Sequence, residues 1–390
     1  MDRRRLLAIV VLVGLIAFRP RSVQAVFSAT ALIDNPSGFF NPGNFNFQLG
    51  LYQGTNSLAT ASPAHAAAAA NAAFKVVPLC NNGMPPSGSC AEGGSGKIGF
   101  MILGFSNTVQ GACSGGNHNA GYIAPANYSQ CVKGTFAANV YNAQQGAAPT
   151  VDPSVYMIVC AQPGKTTQLW DTPFTNTVWT NCESVVTGAN LTDAQVEVIL
   201  METATGNPPK GATMAKLNHS PCVAGDEKSV DACANEMHLG NIARAVHTHF
   251  PNLQLMYLTS RAYGGWATGG LQPEPFAYEY GFTVQFLIGA QIEQADNGGA
   301  ENSEAGDLSY DAAPVLLWGP YSWASGTTAN SEGTVWPKTD FQMENNPNDT
   351  YVHYRLPGYT QIGTLWSNFF AGTSLTGALN TNNTTWFRPQ

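Results

Sequence analysis

The run KIGFMILGFSNT at 97–108 decides the fold. Its first seven residues are almost wholly apolar, and the run then reaches a glycine and, two residues later, a serine. Short apolar runs bounded by turn residues are typical of strands buried on both faces of a parallel sheet. Four further runs of this kind follow, at 155–161, 196–202, 253–258 and 314–318.

Helical patterns separate these runs. We predict helices at 166–179, 229–250, 275–294 and 356–370. Strands that alternate with helices imply crossover connections and a parallel sheet. The sequence therefore predicts a three-layer α/β/α domain at 97–372, with a flavodoxin-like, doubly wound parallel sheet of about five strands.

The segments around this domain are less regular. Residues 26–96 predict a loop-rich N-terminal arm that holds an Ala-rich helix at 62–74, with Ser62 as its N-cap and Pro63 at the first helical position. Residues 373–390 form a C-terminal tail.

The first 25 residues predict a secretory signal peptide. Three arginines precede an apolar run of about 13 residues, and Val23-Gln24-Ala25 offers a small-residue cleavage site. An uncleaved membrane anchor is the alternative, although a span needs about 20 apolar residues. We expect a secreted, extracellular or periplasmic protein. Its N-x-S/T sequons matter only in a host that glycosylates, and they lie at Asn127, Asn190, Asn218, Asn348, Asn382 and Asn383.

The net charge of the chain restricts the kinds of molecule that it can bind. The segment 1–25 carries five arginines and one aspartate, so its removal lowers the net charge from −8 to −12. An acidic chain is a poor partner for nucleic acid or for anionic lipid. We therefore expect no nucleic-acid partner and no membrane docking. The sequence leaves the oligomeric state open.

An even number of cysteines after an export signal favours disulfides. Neighbouring cysteines suggest the pairs 80–90, 113–131, 160–182 and 222–233, among the 105 pairings that eight cysteines allow. Cys160 is open to a second interpretation as a free core thiol, because it lies in a predicted strand. The spacing lacks a C-x-x-C pair, so we expect no zinc site. We also expect no other metal and no organic cofactor.

Ligands of open α/β sheets bind beyond the carboxyl ends of the strands. Ser106 follows the first predicted strand, and Gly164 follows the second. A serine hydroxyl needs a base, normally histidine, to become a nucleophile. His353 precedes the last predicted helix, and Asp349 is the nearby carboxylate that could orient it. The G-x-S-x-G elbow of α/β-hydrolases does not fit, because Thr108 replaces the second glycine.

The chain resembles SGNH (GDSL-like) hydrolases, and more closely a group of uncharacterised secreted bacterial proteins related to them. The resemblance covers most of the chain after residue 25. It is carried by KIGFMILGFSNT, AQPGKTTQLW and VLLWGPYSWA, and by residues 50–69, 252–292 and 353–370.

The resemblance implies residue roles. Ser106 is the nucleophile, and its amide and that of Gly164 form the oxyanion hole. The family's third block supplies an asparagine, but this chain has ETATGN at 202–207, where Thr203 or Asn207 could replace it. The last block normally spaces Asp and His as D-x-x-H, and the segment from Asp349 to His353 is one residue longer.

Other polar and aromatic residues have two interpretations. Asn107, Arg261, Tyr263 and Trp266 are candidates for substrate binding, with a structural pairing of Arg261 with Glu274 or Glu279 as the alternative. Packing is the favoured role of Trp170, Trp318, Tyr321 and Trp323. His247 and His249 resemble a metal pair, but they end a predicted helix, where histidine complements the helix dipole.

These observations favour a secreted serine ester hydrolase that acts on acyl esters, such as acetyl esters of an extracellular carbohydrate. The irregular third and last blocks keep an alternative open. On that alternative, the chain is an inactive protein of the same fold that binds carbohydrate or serves as a surface component.

Overall fold

A computed structural model gives the structure of the protein at residues 27–41, 47–113, 131–202, 232–267, 273–296, 298–299, 301–341 and 351–389. The predicted signal peptide lies outside these residues. Within the described residues, none of the helices has both the length and the apolar character that a bilayer span requires.

The N-terminal arm packs onto the rest of the chain. It contains the antiparallel strands β1 (Phe39–Phe40) and β2 (Phe47–Gln48) and the helices α1 (Leu58–Ala61) and α2 (Pro63–Lys75). The Ser62 hydroxyl accepts a hydrogen bond from the His65 amide at 3.0 Å, so the predicted N-cap is confirmed. The Trp318 indole donates to the Leu51 carbonyl at 2.6 Å and ties the arm to the sheet.

Five parallel strands form the central sheet. Their order is β4-β3-β5-β6-β7, which is the flavodoxin-like order when the five are numbered along the chain. This confirms the predicted fold class. The strands are β3 (Ile98–Gly104), β4 (Val155–Val159), β5 (Val196–Glu202), β6 (Leu255–Leu258) and β7 (Val315–Trp318).

Helices cover both faces of this sheet. Phe100 of β3 packs edge-on against Phe370 and Trp386, with ring centroids 5.0 and 5.1 Å away, so the C-terminal segment belongs to the core of one face. Cys182 reaches β3 from the other face and lies 3.7 Å from the Met101 sulfur. The helices are α3 (Ser106–Ala112), α4 (Phe136–Gln144), α5 (Thr167–Trp170), α6 (Thr177–Gly188), α7 (Ala232–His249), α8 (Phe276–Asp296), α9 (Leu356–Ala371) and α10 (Leu375–Leu379).

The single helix predicted at 166–179 is wrong, because two helices, α5 and α6, occupy this region. Pro173 lies between them, and proline lacks the amide that a continuous helix would need there. Asn176 then starts α6 by accepting a hydrogen bond from the Val178 amide at 3.2 Å. The pattern did not predict α4, which lies in a segment rich in small and polar residues.

Three of the four predicted disulfides are present: Cys80–Cys90, Cys113–Cys131 and Cys160–Cys182. Cys160 is therefore a disulfide partner and not a free thiol. Cys222 and the side chain of Cys233, which make up the fourth predicted pair, lie outside the described residues.

Candidate active site

The turn after β3 places Ser106 at the carboxyl end of the sheet. β3 ends at Gly104, whose φ of +153° is rarely adopted by residues with a side chain. A Cβ at Gly104 would also overlap the Glu202 carbonyl oxygen and the Thr108 hydroxyl. Ser106 then begins α3 and is only 3% exposed. Glycine is thus required at position 104, where the turn that carries the serine passes close to the end of strand β5.

The half-buried His353 lies directly against this serine. Its Nε2 is 2.8 Å from the Ser106 Oγ, although 247 residues separate the two in sequence. When the imidazole carries its proton on Nδ1, the serine hydroxyl donates to Nε2. This is the geometry in which a histidine can remove the hydroxyl proton as the oxygen attacks.

The helix that begins at Ser106 also contacts the chain on both sides of His353. The Asn107 side-chain amide donates to the Val352 carbonyl at 2.9 Å. The Gln110 amide donates to the Tyr354 carbonyl at 3.4 Å and accepts from the Tyr354 amide at 2.9 Å. The sequence analysis assigned Asn107 to substrate binding and did not identify Gln110.

A buried ion pair lies behind the serine turn. Glu202, the last residue of β5, is completely buried and pairs with the Arg261 guanidinium at 3.2 Å. Its other carboxylate oxygen is 3.2 Å from the Thr108 hydroxyl, and the guanidinium lies 4.3 Å from the centroid of the Phe105 ring. Burial raises the pKa of Glu202, while Arg261 and the Thr108 hydroxyl act in the opposite direction.

The structure describes some of the residues predicted to form the oxyanion hole, Ser106 and Gly164. Gly164 lies in an exposed turn with a φ of +74°, and a Cβ there would meet open space. Two hydrogen bonds tie this region to the serine turn, because the Gln162 amide and the Trp170 indole both donate to the Gly104 carbonyl, at 3.0 and 3.2 Å. Thr203, Asn207 and Asp349 lie outside the described residues.

The three candidate substrate-binding residues after β6 have partners within the chain. Arg261 is 3% exposed and forms its ion pair with Glu202. Its charge also acts to lower the pKa of Glu274, one of the two partners that the structural interpretation named. The Tyr263 hydroxyl donates to the Phe27 carbonyl at 2.9 Å, and the Trp266 indole donates to the Trp336 carbonyl at 2.7 Å. These contacts favour packing roles over substrate binding.

The large aromatic residues near the strand ends are also buried. Each is at most 1% exposed, which agrees with the packing role favoured by the sequence and leaves no face for a sugar ring. They are Trp170, Trp318, Tyr321 and Trp323.

The two histidines at the end of α7 face different neighbours. His249 Nε2 lies 2.7 Å from Glu183 and 3.5 Å from Asp193, whereas His247 is hydrogen-bonded to the backbone of Asp311. Burial and the adjacent Asp193 raise the pKa of Glu183 to about 8. The sequence analysis did not identify this cluster, whose donor atoms lie within 4.8 Å of one another and include the atom types that bind divalent cations.

Two cavities lined by described residues lie away from Ser106 and His353. One, of about 500 Å³, lies between the arm and α8 and is lined by Tyr52, Gln53 and Gln285 among others. The other, of about 820 Å³, lies at the opposite end of the sheet, where Lys97 and Tyr156 line it.

No protein-family model matches the chain, and no curated protein matches it. Among solved structures, it is similar to an extracellular lipase from Streptomyces rimosus, with 12% identity and a TM-score of 0.31 over 69% of this chain and 99% of that chain. It is also similar to a Corynascus thermopiles (Myceliophthora fergusii) carbohydrate esterase family 2 enzyme with its carbohydrate-binding domain. That similarity has 12% identity and a TM-score of 0.30 over 77% of this chain and 68% of that chain. Both similarities are distant, so a functional assignment depends on the geometry of the site.

Proposed function

We propose that the protein is a serine ester hydrolase in which Ser106 is the nucleophile and His353 is the general base. The observation that carries the proposal is the 2.8 Å separation of Ser106 Oγ and His353 Nε2 at the carboxyl end of the sheet. Two residues so far apart in sequence meet at the edge where open α/β sheets bind their ligands.

The chemistry follows from this contact. Ser106 Oγ attacks the ester carbonyl carbon, and its proton passes to His353 Nε2. The tetrahedral intermediate collapses as the protonated imidazole gives that proton to the leaving alcohol. Water, deprotonated by the same imidazole, then attacks the acyl-enzyme, and the proton returns to Ser106 as the carboxylic acid leaves. The serine proton leaves with the alcohol, and a proton from water replaces it on Ser106, so the enzyme is regenerated.

The remaining roles extend the proposal to other residues. Asp349 orients His353, and the backbone amides of Ser106 and Gly164 donate hydrogen bonds to the oxyanion, with Thr203 or Asn207 as a third donor. An oxyanion-hole donor contributes about 2.7–4 kcal/mol to the transition state. No cofactor is needed for this cycle.

The substrate class is an acyl ester, and we favour a short acyl group such as acetyl on an extracellular carbohydrate. Support for a secreted protein comes from the basic and apolar start of the sequence and from the three disulfides, which persist in oxidising compartments. The net charge, −8 for the full chain and −12 without residues 1–25, also favours a neutral substrate over a polyanion.

Hydrolysis of p-nitrophenyl acetate tests the proposal. We expect turnover by the wild type and a loss of at least about 10³-fold in kcat/KM for Ser106→Ala, because the attacking group is removed. Ser184→Ala, on the exposed surface of α6, is the matched control and should keep the wild-type rate. Equal rates for wild type and Ser106→Ala would discard Ser106 as the nucleophile. Glycan binding without any turnover would favour the non-catalytic alternative.

A further inference from the structure

His353 lies in an irregular part of the chain. No regular strand or helix holds it, since α9 begins only at Leu356. Tyr351, two residues before it, has a φ of +60°, a left-handed value that is uncommon for a residue with a side chain. A general base must nevertheless stay within about 2.6–3.2 Å of the oxygen whose proton it removes. Something outside the local backbone must therefore fix this segment relative to Ser106.

Gln110 provides one such contact. It lies four residues after Ser106, one turn further along α3, and is completely buried. Its side-chain amide pairs with the main chain of Tyr354 in both directions, accepting from the amide and donating to the carbonyl. This reciprocal pairing resembles the contact of two adjacent strands. It fixes the position of the residue that directly follows His353.

Asn107 provides the second contact. It is 1% exposed and directly follows Ser106 in sequence. Its amide donates to the carbonyl of Val352, the residue directly before His353. The backbone on both sides of His353 is thus held by side chains of the helix that carries Ser106.

We propose that Asn107 and Gln110 are positioning residues that hold the His353 imidazole on the Ser106 hydroxyl. The inference rests on the proposed function of this site. It gives Asn107 a role other than the substrate binding expected from the sequence. Because both side chains lie on the helix of the nucleophile, they join the segment of the base directly to that helix. A misplacement of about 1 Å in such a pair costs about 10²-fold in rate.

The test replaces Gln110 by methionine, which has a similar volume and makes neither hydrogen bond. Gln291 offers a matched control, because this buried glutamine of α8 donates to the Leu308 and Pro314 carbonyls and accepts from the Leu316 amide. Both substitutions remove comparable hydrogen bonds and lower the melting temperature. We expect Gln110→Met to lower kcat on p-nitrophenyl acetate by 30- to 100-fold with KM within threefold, and Gln291→Met to keep kcat within threefold.

Gln110→Glu and Asn107→Ala extend the test. Gln110→Glu retains the acceptor for the Tyr354 amide. Its kcat should therefore be at least threefold higher than that of Gln110→Met. Asn107→Ala removes the hydrogen bond to the Val352 carbonyl, so we expect a loss of about tenfold. It serves as the main variant if Gln110→Met does not fold. The proposal would be overturned if the positioning variant had the same kcat as the control Gln291→Met. The positioning variant is Gln110→Met, or Asn107→Ala if Gln110→Met does not fold.

The ¹⁵N resonance of His353 Nε2 tests the positioning role independently of the proposed function, because measuring this resonance requires no esterase activity. Ser106→Ala removes the hydroxyl and should shift this resonance in histidine-labelled protein. Gln110→Met, or Asn107→Ala in its place, should shift it in the same direction, and Gln291→Met should leave it unchanged. A wild type without esterase activity would refute the proposed function alone. An unshifted resonance in Gln110→Met, or in Asn107→Ala in its place, would refute the positioning role of these residues.

Discussion

Strand β5 carries a buried glutamate near each end, and the two have different surroundings. Glu197, near the amino end, is 1% exposed, and one carboxyl oxygen accepts a hydrogen bond from the Val77 amide at 3.0 Å. Its other oxygen has no partner among the described residues. Glu202, at the carboxyl end, has both the Arg261 guanidinium and the Thr108 hydroxyl. Burial raises the pKa of Glu197 to about 9, so it is protonated at neutral pH.

The difference shows that the two ends of the sheet accommodate a buried carboxyl group in different ways. The amino end accepts a neutral acid, whereas the carboxyl end holds an ion pair next to the serine turn. A buried ion pair contributes little net stability, because desolvation offsets the attraction. The Glu202–Arg261 pair is therefore better explained by its place beneath the Ser106 turn than by a contribution to folding. Glu202 contacts that turn through Thr108.

Removal of the cation should have the largest effect on stability. Arg261→Met leaves the Glu202 carboxylate buried without its partner, and we expect a loss of about 3–5 kcal/mol in the free energy of unfolding. Urea denaturation at pH 7 measures it. The double substitution Arg261→Met/Glu202→Met removes both charges and should recover at least half of the loss. If the double variant is less stable than Arg261→Met alone, the pair contributes more than charge compensation.

Removal of the neutral acid should have a smaller effect that depends on pH. The pKa of Glu197 is higher in the folded protein than in the unfolded chain, so its contribution is complete at low pH and is lost as the pH rises through about 4.5–9. Glu197→Gln cannot ionise. We expect its free energy of unfolding to match the wild type within about 1 kcal/mol at pH 5 and to exceed it by about 3 kcal/mol at pH 7, because each pH unit above the unfolded pKa costs the wild type about 1.4 kcal/mol.

Thermal and urea unfolding at the two pH values check this difference. Glu92→Gln, at an exposed position, is the control. Its free energy of unfolding should differ from that of the wild type by the same amount at both pH values. A Glu197→Gln variant whose stability runs parallel to that of the wild type across this range would show that Glu197 is ionised in the folded protein.

Much of the fold could be predicted from the sequence, because a strand buried on both faces is recorded locally as an unbroken apolar run. The run at 196–202 matches β5, and the other four strands were placed within three residues at each end. Helices were harder to predict. Pro173 was not recognised as a break, and the segment of α4 is short and rich in alanine and asparagine.

Only those site residues could be predicted whose place next to a predicted strand or helix indicates a role. Ser106 was found because it follows a core strand, and His353 because it precedes the last helix. The roles of Gln110 and Glu202 could not be found in this way. Gln110 acts on Tyr354, 244 residues away, and Glu202 pairs with Arg261, 59 residues away. Contacts of this kind leave no periodic signal in one sequence.

The most direct test of the central claim is the reaction of the protein with a fluorophosphonate, followed by peptide mass mapping. The Ser106–His353 pair predicts a single adduct on the peptide that contains Ser106, formed at least 100-fold more slowly in His353→Gln because the hydroxyl loses its base. No adduct at Ser106, or a labelling rate that His353→Gln leaves unchanged, would contradict the account.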